Sequence, residues 1–287
     1  MLLKDEQIVI TLKNLMFFSH KVDGPHYRLD PEAITGWYDG VAMRREDNPR
    51  PVQWGSFEVP GYLGSRLITI TGSALATSPA ELQAMRDIFM GVLTKGEFAL
   101  LGVNTTSVGT RFSNVGLESA PSWVRQTDTI ATWKLDLFAP DPRIYGEVNA
   151  WIYRGSNVQG GLDYPISYPI DYGVYDPSQS SPLTNIGNAD AWPVIIAEGN
   201  MPDGFKVTNG KGDWVIYDGP VTFDAPIKID FETGVASQRG MDRSNNLTSR
   251  EWFPIPPNSS LLPKFSYINP GMGQEGWMKV EIRDTWI

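Results

Sequence analysis

Two histidines, a glycine-rich hexapeptide, five carboxylates and three regularly spaced tyrosines are the groups whose types and spacing suggest chemistry. His20 and His26 lie six residues apart with Asp23 between them. Histidine is the common base for a serine nucleophile and a common metal ligand. Here the pair brackets Gly24-Pro25, and no G-x-S-x-G elbow occurs, so both are read as turn residues. The absence of cysteine removes thiol catalysis, cysteine-rich zinc sites and disulfides. Gly271–Gly276, reading GMGQEG, matches G-x-G-x-x-G. Phosphate binding by that motif requires a preceding strand and a helix opening at the glycines. A strand pattern follows instead, so the segment is read as a hairpin loop. Asp136, Asp141, Asp224, Asp230 and Glu232 offer carboxylate pairs for glycoside hydrolysis if the fold brings two together. Acids alternating with apolar residues belong to solvated strand faces, so a cell-wall hydrolase, with Asp230 and Glu232 as its candidate acids, ranks last among the functions considered. No catalytic set, metal or cofactor is expected. Tyr164, Tyr168 and Tyr172, four residues apart in DYPISYPIDYG, are the candidate partner contacts. Pro165 and Pro169 forbid the helix that would align them, so the segment is read as an extended connector.

The elements that would position these groups are mostly strands. Arg66–Thr71, Thr132–Phe138, Pro226–Glu232 and Trp277–Arg283 each alternate apolar and polar residues, the pattern of a strand with one buried face. Ile8–Leu12, Pro193–Ala197, Phe205–Thr208 and Trp214–Tyr217 are shorter strand candidates. One helix is predicted over residues 78–93. Ser78 caps it, Pro79 occupies its first position and Glu81 completes an S-x-x-E box. Leu82, Met85, Phe89 and Val92 form its apolar stripe, and Gly96 suits a left-handed end. Strands do not alternate with helices, so antiparallel β-sandwiches are expected rather than a doubly wound sheet.

Length and charge set the frame. At about 150 residues per domain, 287 residues suggest two. The organisation read from composition is a β-sandwich over 1–148, a Gly/Pro/Tyr-rich connector over 149–188 and a second sandwich over 189–287. The net charge of −9 argues against binding duplex nucleic acid. The stretch Gly155–Phe205 has six acids and no Lys or Arg, so it carries −6 of that total. No apolar run is long enough to span a bilayer, and the charged first 20 residues do not read as a secretory signal. The composition therefore favours a structural or binding protein.

Several segments taken in order resemble a known family. They are ITGWYDG at Ile34–Gly40, the arginine-rich turn near Arg44, and GYLGSRLITITGSALATSPAELQAMRDIF at Gly61–Phe89 with its G-x-R lead-in Gly64-Ser65-Arg66. KLDLFAPDPRIYG at Lys134–Gly146 closes this half. AWPVIIAEGN at Ala191–Asn200, IKIDFETG at Ile227–Gly234, REWFPIPPNSS at Arg250–Ser260 and WMKVEIRDTWI at the end follow. Together these resemble the siphophage distal tail proteins, also called minor tail proteins. Asn258 stands where that pattern commonly has glycine, a change that left-handed geometry tolerates. The resemblance implies a tail-tube-like first domain, a galectin-like second domain and a homohexameric ring at the virion tail tip, assembled in the host cytoplasm. Tail tube, baseplate and receptor-binding proteins would be its partners, with no membrane insertion. The alternative reading is a carbohydrate-binding module or adhesin recognising host surface glycans.

Overall fold

The computed structural model describes residues 7–155, 181–269 and 274–287. The chain divides into two compact units, Met1–Glu147 and Val148–Trp286.

The strands of the first unit are β1 (Ile8–Leu12), β2 (Leu15–Phe18), β3 (His26–Thr35), β4 (Met43–Arg44), β5 (Tyr62–Leu63), β6 (Arg66–Leu75), β7 (Ala99–Thr105), β8 (Gly109–Leu117), β9 (Ser122–Arg125) and β10 (Ile130–Ala139). β11 (Ile144–Arg154) begins in it and continues past the division. Seven of them run in the order β8-β7-β1-β2-β3-β6-β10. The pairs Leu137↔Leu117 and Phe138↔Gly116 then join β10 to β8 and close the ring. The unit is thus a barrel, where alternation had suggested two stacked sheets. Both architectures have a period of two; the long-range register that closes the ring distinguishes them. All the joints are antiparallel except β2–β3, which is parallel at Phe17↔Tyr27 and Phe18↔Arg28.

The alternating faces behave as burial requires. Ile68 and Ile70 of β6 and Trp133, Leu135 and Leu137 of β10 are buried. The helix α1 (Pro79–Met90) lays Leu82, Met85 and Phe89 against the barrel. Phe89 packs on Tyr27 and Trp133, with ring centroids 5.9 and 5.4 Å away. The Tyr27 hydroxyl donates to Met85 O at 2.7 Å, and burial pushes its pKa up to about 12. Ser78 Oγ accepts from Glu81 N. The Glu81 carboxylate reaches back to Thr77 N–H and hydroxyl, so the capping box is shifted by one residue. The helix ends at Met90, three residues before the predicted end. Gly91 is its cap in right-handed geometry, Leu93 turns left-handed at φ 53°, and Gly96 (φ 70°) closes the next turn on Leu93 O.

The second unit contains two antiparallel sheets. One orders β18 (Met241–Asp242), β17 (Val235–Gln238), β16 (Ile227–Asp230), β13 (Val194–Asn200) and β22 (Glu275–Trp286). The other orders β19 (Leu247–Arg250), β15 (Trp214–Tyr217), β14 (Phe205–Thr208) and β21 (Lys264–Tyr267). β12 (Leu183–Asn185) pairs with β20 (Ser259–Leu261). Ile195, Ile227, Ile229 and Val280 from the first sheet and Phe205, Val207, Val215 and Phe265 from the second share one buried cluster. β11 runs to Arg154 and β12 spans Leu183–Asn185, both within the 149–188 segment that composition marked as connector. Asn258 lies at φ 49°, the left-handed geometry expected of it.

Candidate assembly interface

The chemistry-bearing residues are occupied by local structure. His26 opens β3, and its Nδ1 lies 2.7 Å from Gly24 O. A carbonyl only accepts, so Nδ1 carries the proton. The His20 ring packs edge-on to Phe18. Asp136 accepts from Thr69 Oγ1 at 2.6 Å and Ser119 Oγ at 3.0 Å, and pairs with Lys134. Asp224 is bound by Thr222 and Arg239. Asp230 Oδ1 accepts the N–H groups of Glu232 and Thr233, forming the turn after β16. No group of three or more His, Cys, Asp or Glu among the described residues is arranged to hold a metal. Gly271 to Gly273 and the tyrosines Tyr164, Tyr168 and Tyr172 lie outside the described residues, and β22 begins at Glu275. On the four-stranded sheet, Lys206 Nζ sits 4.2 Å from the Trp214 ring centroid and covers a face that a sugar would otherwise stack on.

The first unit instead presents an arm between β3 and β6. Its stem is the β4–β5 pair, Met43↔Leu63 and Arg44↔Tyr62. Beyond the stem, Phe57 N donates to Asn48 O and Arg50 N to Gly55 O, and Ser56 bonds Asp47. The tip Pro49–Ser56 is held by these bonds but buries little. Trp54 is 100% exposed and Val52 95%, while Phe57 and Tyr62 are more than half exposed. A cleft of about 530 Å³ lies in the same unit, between the end of β3 with its following turn and the β7–β8 hairpin. Ile34, Tyr38, Val103 and Val108 supply its apolar wall, and Glu32, Asp39 and Arg111 its charges.

One buried cation holds the root of this arm. Arg66, the last residue of the G-x-R lead-in, is 2% exposed. Its Nη1 lies 2.7 Å from Gly36 O, 3.2 Å from Trp37 O and 2.9 Å from Asp39 O, and its Nε donates to Pro142 O at 2.8 Å. Burial pulls the guanidinium pKa below its ordinary value and Asp39 opposes the shift; the group stays a cation. Asp39 Oδ2 accepts from Gly36 N at 2.7 Å. Gly36 has φ 80°, and a Cβ there would stand 1.8 Å from Leu67 O, so the turn tolerates only glycine. ITGWYDG and G-x-R are therefore two halves of one clamp.

The turn that carries Pro142 has its own lock. Burial raises the Asp141 pKa, but donation from Arg143 Nε and Nη2, both at 2.9 Å, and from Tyr145 Oη at 2.5 Å outweighs it. The carboxyl is held below its usual range. A depressed folded-state pKa means that the stabilisation is complete above the unfolded value, about 3.9. It is lost as pH falls through the folded one. Asp141→Asn is expected to lower the urea midpoint of the first unit at neutral pH. It should also flatten the loss of stability expected of the unmodified chain as pH falls below about 4. Urea titrations across that range measure both; an unchanged acid slope in the variant would show that the lock contributes nothing.

The fold is similar to that of a phage hub protein and of a phage baseplate chain. Dit of phage SPP1, described as a paradigm of the hub adsorption apparatus in phages infecting Gram-positive bacteria, superposes with a TM-score of 0.64. The match covers 98% of this chain and 99% of that one at 10% identity. A chain of the phage P2 baseplate, solved in its activated conformation with calcium, matches with a TM-score of 0.50 and 13% identity, covering 97% of both. No protein-family model and no curated protein matches the chain in sequence. No helix among the described residues is long and apolar enough to cross a membrane.

Sequence reading reached Arg66 and Ile34–Gly40 as motifs without their connection. It missed Trp54, whose setting between Pro49, Pro51 and Gly55 was the available signal of an exposed aromatic on a turn.

Proposed function

We propose that this chain is a structural virion protein of a long-tailed bacteriophage, a distal tail protein that joins the tail tube to the tip and its host-recognition apparatus. In this reading six copies close into a ring through the first unit. The second unit is a galectin-like sandwich that faces outward and docks baseplate or receptor-binding proteins. The role is assembly rather than catalysis, and the protein resides at the virion tail tip after assembly in the host cytoplasm. The observation that carries the reading is the end-to-end fold match with SPP1 Dit, spanning both units. Asp136, Asp141, Asp224 and Asp230 are engaged in turns and cross-strand bonds, which suits a structural role for them.

A heterologous interface that closes under rotation generates a ring. Light scattering with negative-stain imaging tests the proposal. The expected particle has six times the 31.9 kDa chain mass, about 191 kDa, with a central hole. A two-fold dimer with no ring at any concentration would overturn it.

A further inference from the structure

Two features of the first unit are incomplete alone and match each other. The arm tip holds a fully exposed tryptophan beside an almost fully exposed valine. The cleft between β3 and the β7–β8 hairpin has about 530 Å³ of open volume with Val103, Val108 and Ile34 on its wall. That volume falls within the range of roughly 300–1,000 Å³ that binding pockets occupy. The exposure of Trp54 shows that the arm does not fill the cleft of its own chain.

We infer that the arm tip of one copy seats Trp54 in this cleft of the next copy, which makes the contact head-to-tail. The inference rests on the ring reading above and names the surfaces that would form it. Charge supports the pairing. The tip Pro49–Phe57 has one charged residue, Arg50, whose guanidinium lies 5.5 Å from the Phe57 centroid. Arg66 offsets the Asp39 charge at the cleft wall and Arg111 lines the same cleft, so Glu32 is the carboxylate that would meet Arg50. Area supports it as well. Val52, Trp54 and Phe57 expose roughly 400 Å² between them, about half of what each partner contributes to a standard interface. Every copy has both a tip and a cleft, so each ring subunit makes the contact twice. Exposed tryptophans anchored in apolar pockets are the residue type that dominates interface energetics. The Arg66 clamp gives the contact its geometry, because it fixes the turn Gly36–Asp39 that is both the arm root and one cleft wall.

The natural absence of cysteine gives a clean test. Val52→Cys and Val108→Cys are placed together in the full chain, leaving Trp54 intact, and a short bis-maleimide bridges thiols. The expected result is a ladder of covalent multimers ending at the ring size. Trp54→Ala in the same background should cut its yield at least about tenfold. Mixed single-cysteine chains should give only the Val52→Cys to Val108→Cys heterodimer. A purely intrachain link overturns the inference, because the arm then serves its own cleft. A ring seen by light scattering without the 52–108 link also overturns it while leaving the ring reading standing. A monomer with no link at the highest soluble concentration removes both.

Discussion

Arg66→Met is expected to destabilise the first unit by about 3–5 kcal/mol. Methionine retains most of the apolar volume, so the change isolates the guanidinium. Four carbonyls, those of Gly36, Trp37, Asp39 and Pro142, then lose their donor. Hydrogen bonds from a charged donor each contribute about 1.5–3 kcal/mol, and partial rehydration of the turns limits the total. Arg66→Lys should recover only part of the loss. A single ammonium on a flexible stem cannot span acceptors on two loops as a planar fork does. Urea unfolding gives the size of the effect and hydrogen exchange its place. Protection should fall over residues 34–42 and 140–144, while the second unit keeps its exchange pattern. If those turns remain protected in the methionine variant, the clamp is not what orders the arm root. Where the unmodified chain forms the proposed ring, its loss in that variant with the fold intact would tie the clamp to assembly as well as to stability.

Asn185 is the counterpart in the second unit. It is fully buried, and Nδ2 donates to Ala189 O at 2.7 Å, Ile255 O at 3.0 Å and Pro256 O at 3.3 Å. Oδ1 accepts from Gly187 N at 2.9 Å and Thr285 N at 3.3 Å. Three carbonyls at one end and two N–H groups at the other determine the orientation of the amide. One side chain thus joins the Asn185–Ala189 turn, the segment after Phe253 and the end of β22. The packing there is tight, since a Cβ on Gly187 would stand 1.8 Å from Thr285 O. Asn185→Ala is expected to cost about 3–4 kcal/mol, because buried partners lose their bonds and water has little access. Asn185→Asp is the sharper test. It is nearly isosteric but places a second oxygen against the three carbonyls, which raises the folded-state pKa of the new acid. A raised pKa leaves stability greatest below the unfolded value of about 3.9 and loses it as pH rises. The aspartate variant should therefore be less stable than the alanine variant at neutral pH and recover in acid. An aspartate variant with wild-type stability at neutral pH would show that the amide's donor end has no structural role.

Much of this architecture was legible because it is local. Alternation in β6, β10, β16 and β22 placed Ile70, Leu135, Ile229 and Val280 in the core without reference to any partner strand, since the faces of a strand follow from a period of two. Ser78, Pro79 and Glu81 marked the helix start for the same reason: a capping box acts within one turn. The helix end was less accurate, because Gly91 and the burial of Val92 and Leu93 depend on the barrel beneath them. Asn258 in left-handed geometry followed from the resemblance, which places a glycine there, together with the tolerance of asparagine for that geometry.

The amino-acid sequence by itself determined that the protein is mostly β, that it has one capped helix in its first half, and which faces of its principal strands are buried. Tertiary structure alone decided that β10 returns to β8 and makes a barrel, that Arg66 meets carbonyls from two separate turns, that Asn185 joins three segments, and that Trp54 stands in solvent. The physical reason is range. Side-chain periodicity and capping are settled over a few residues, whereas the buried cation finds its carbonyls 27 to 76 positions away and the buried amide joins its own turn to partners 70 to 100 positions away, which only the folded register brings within hydrogen-bonding distance.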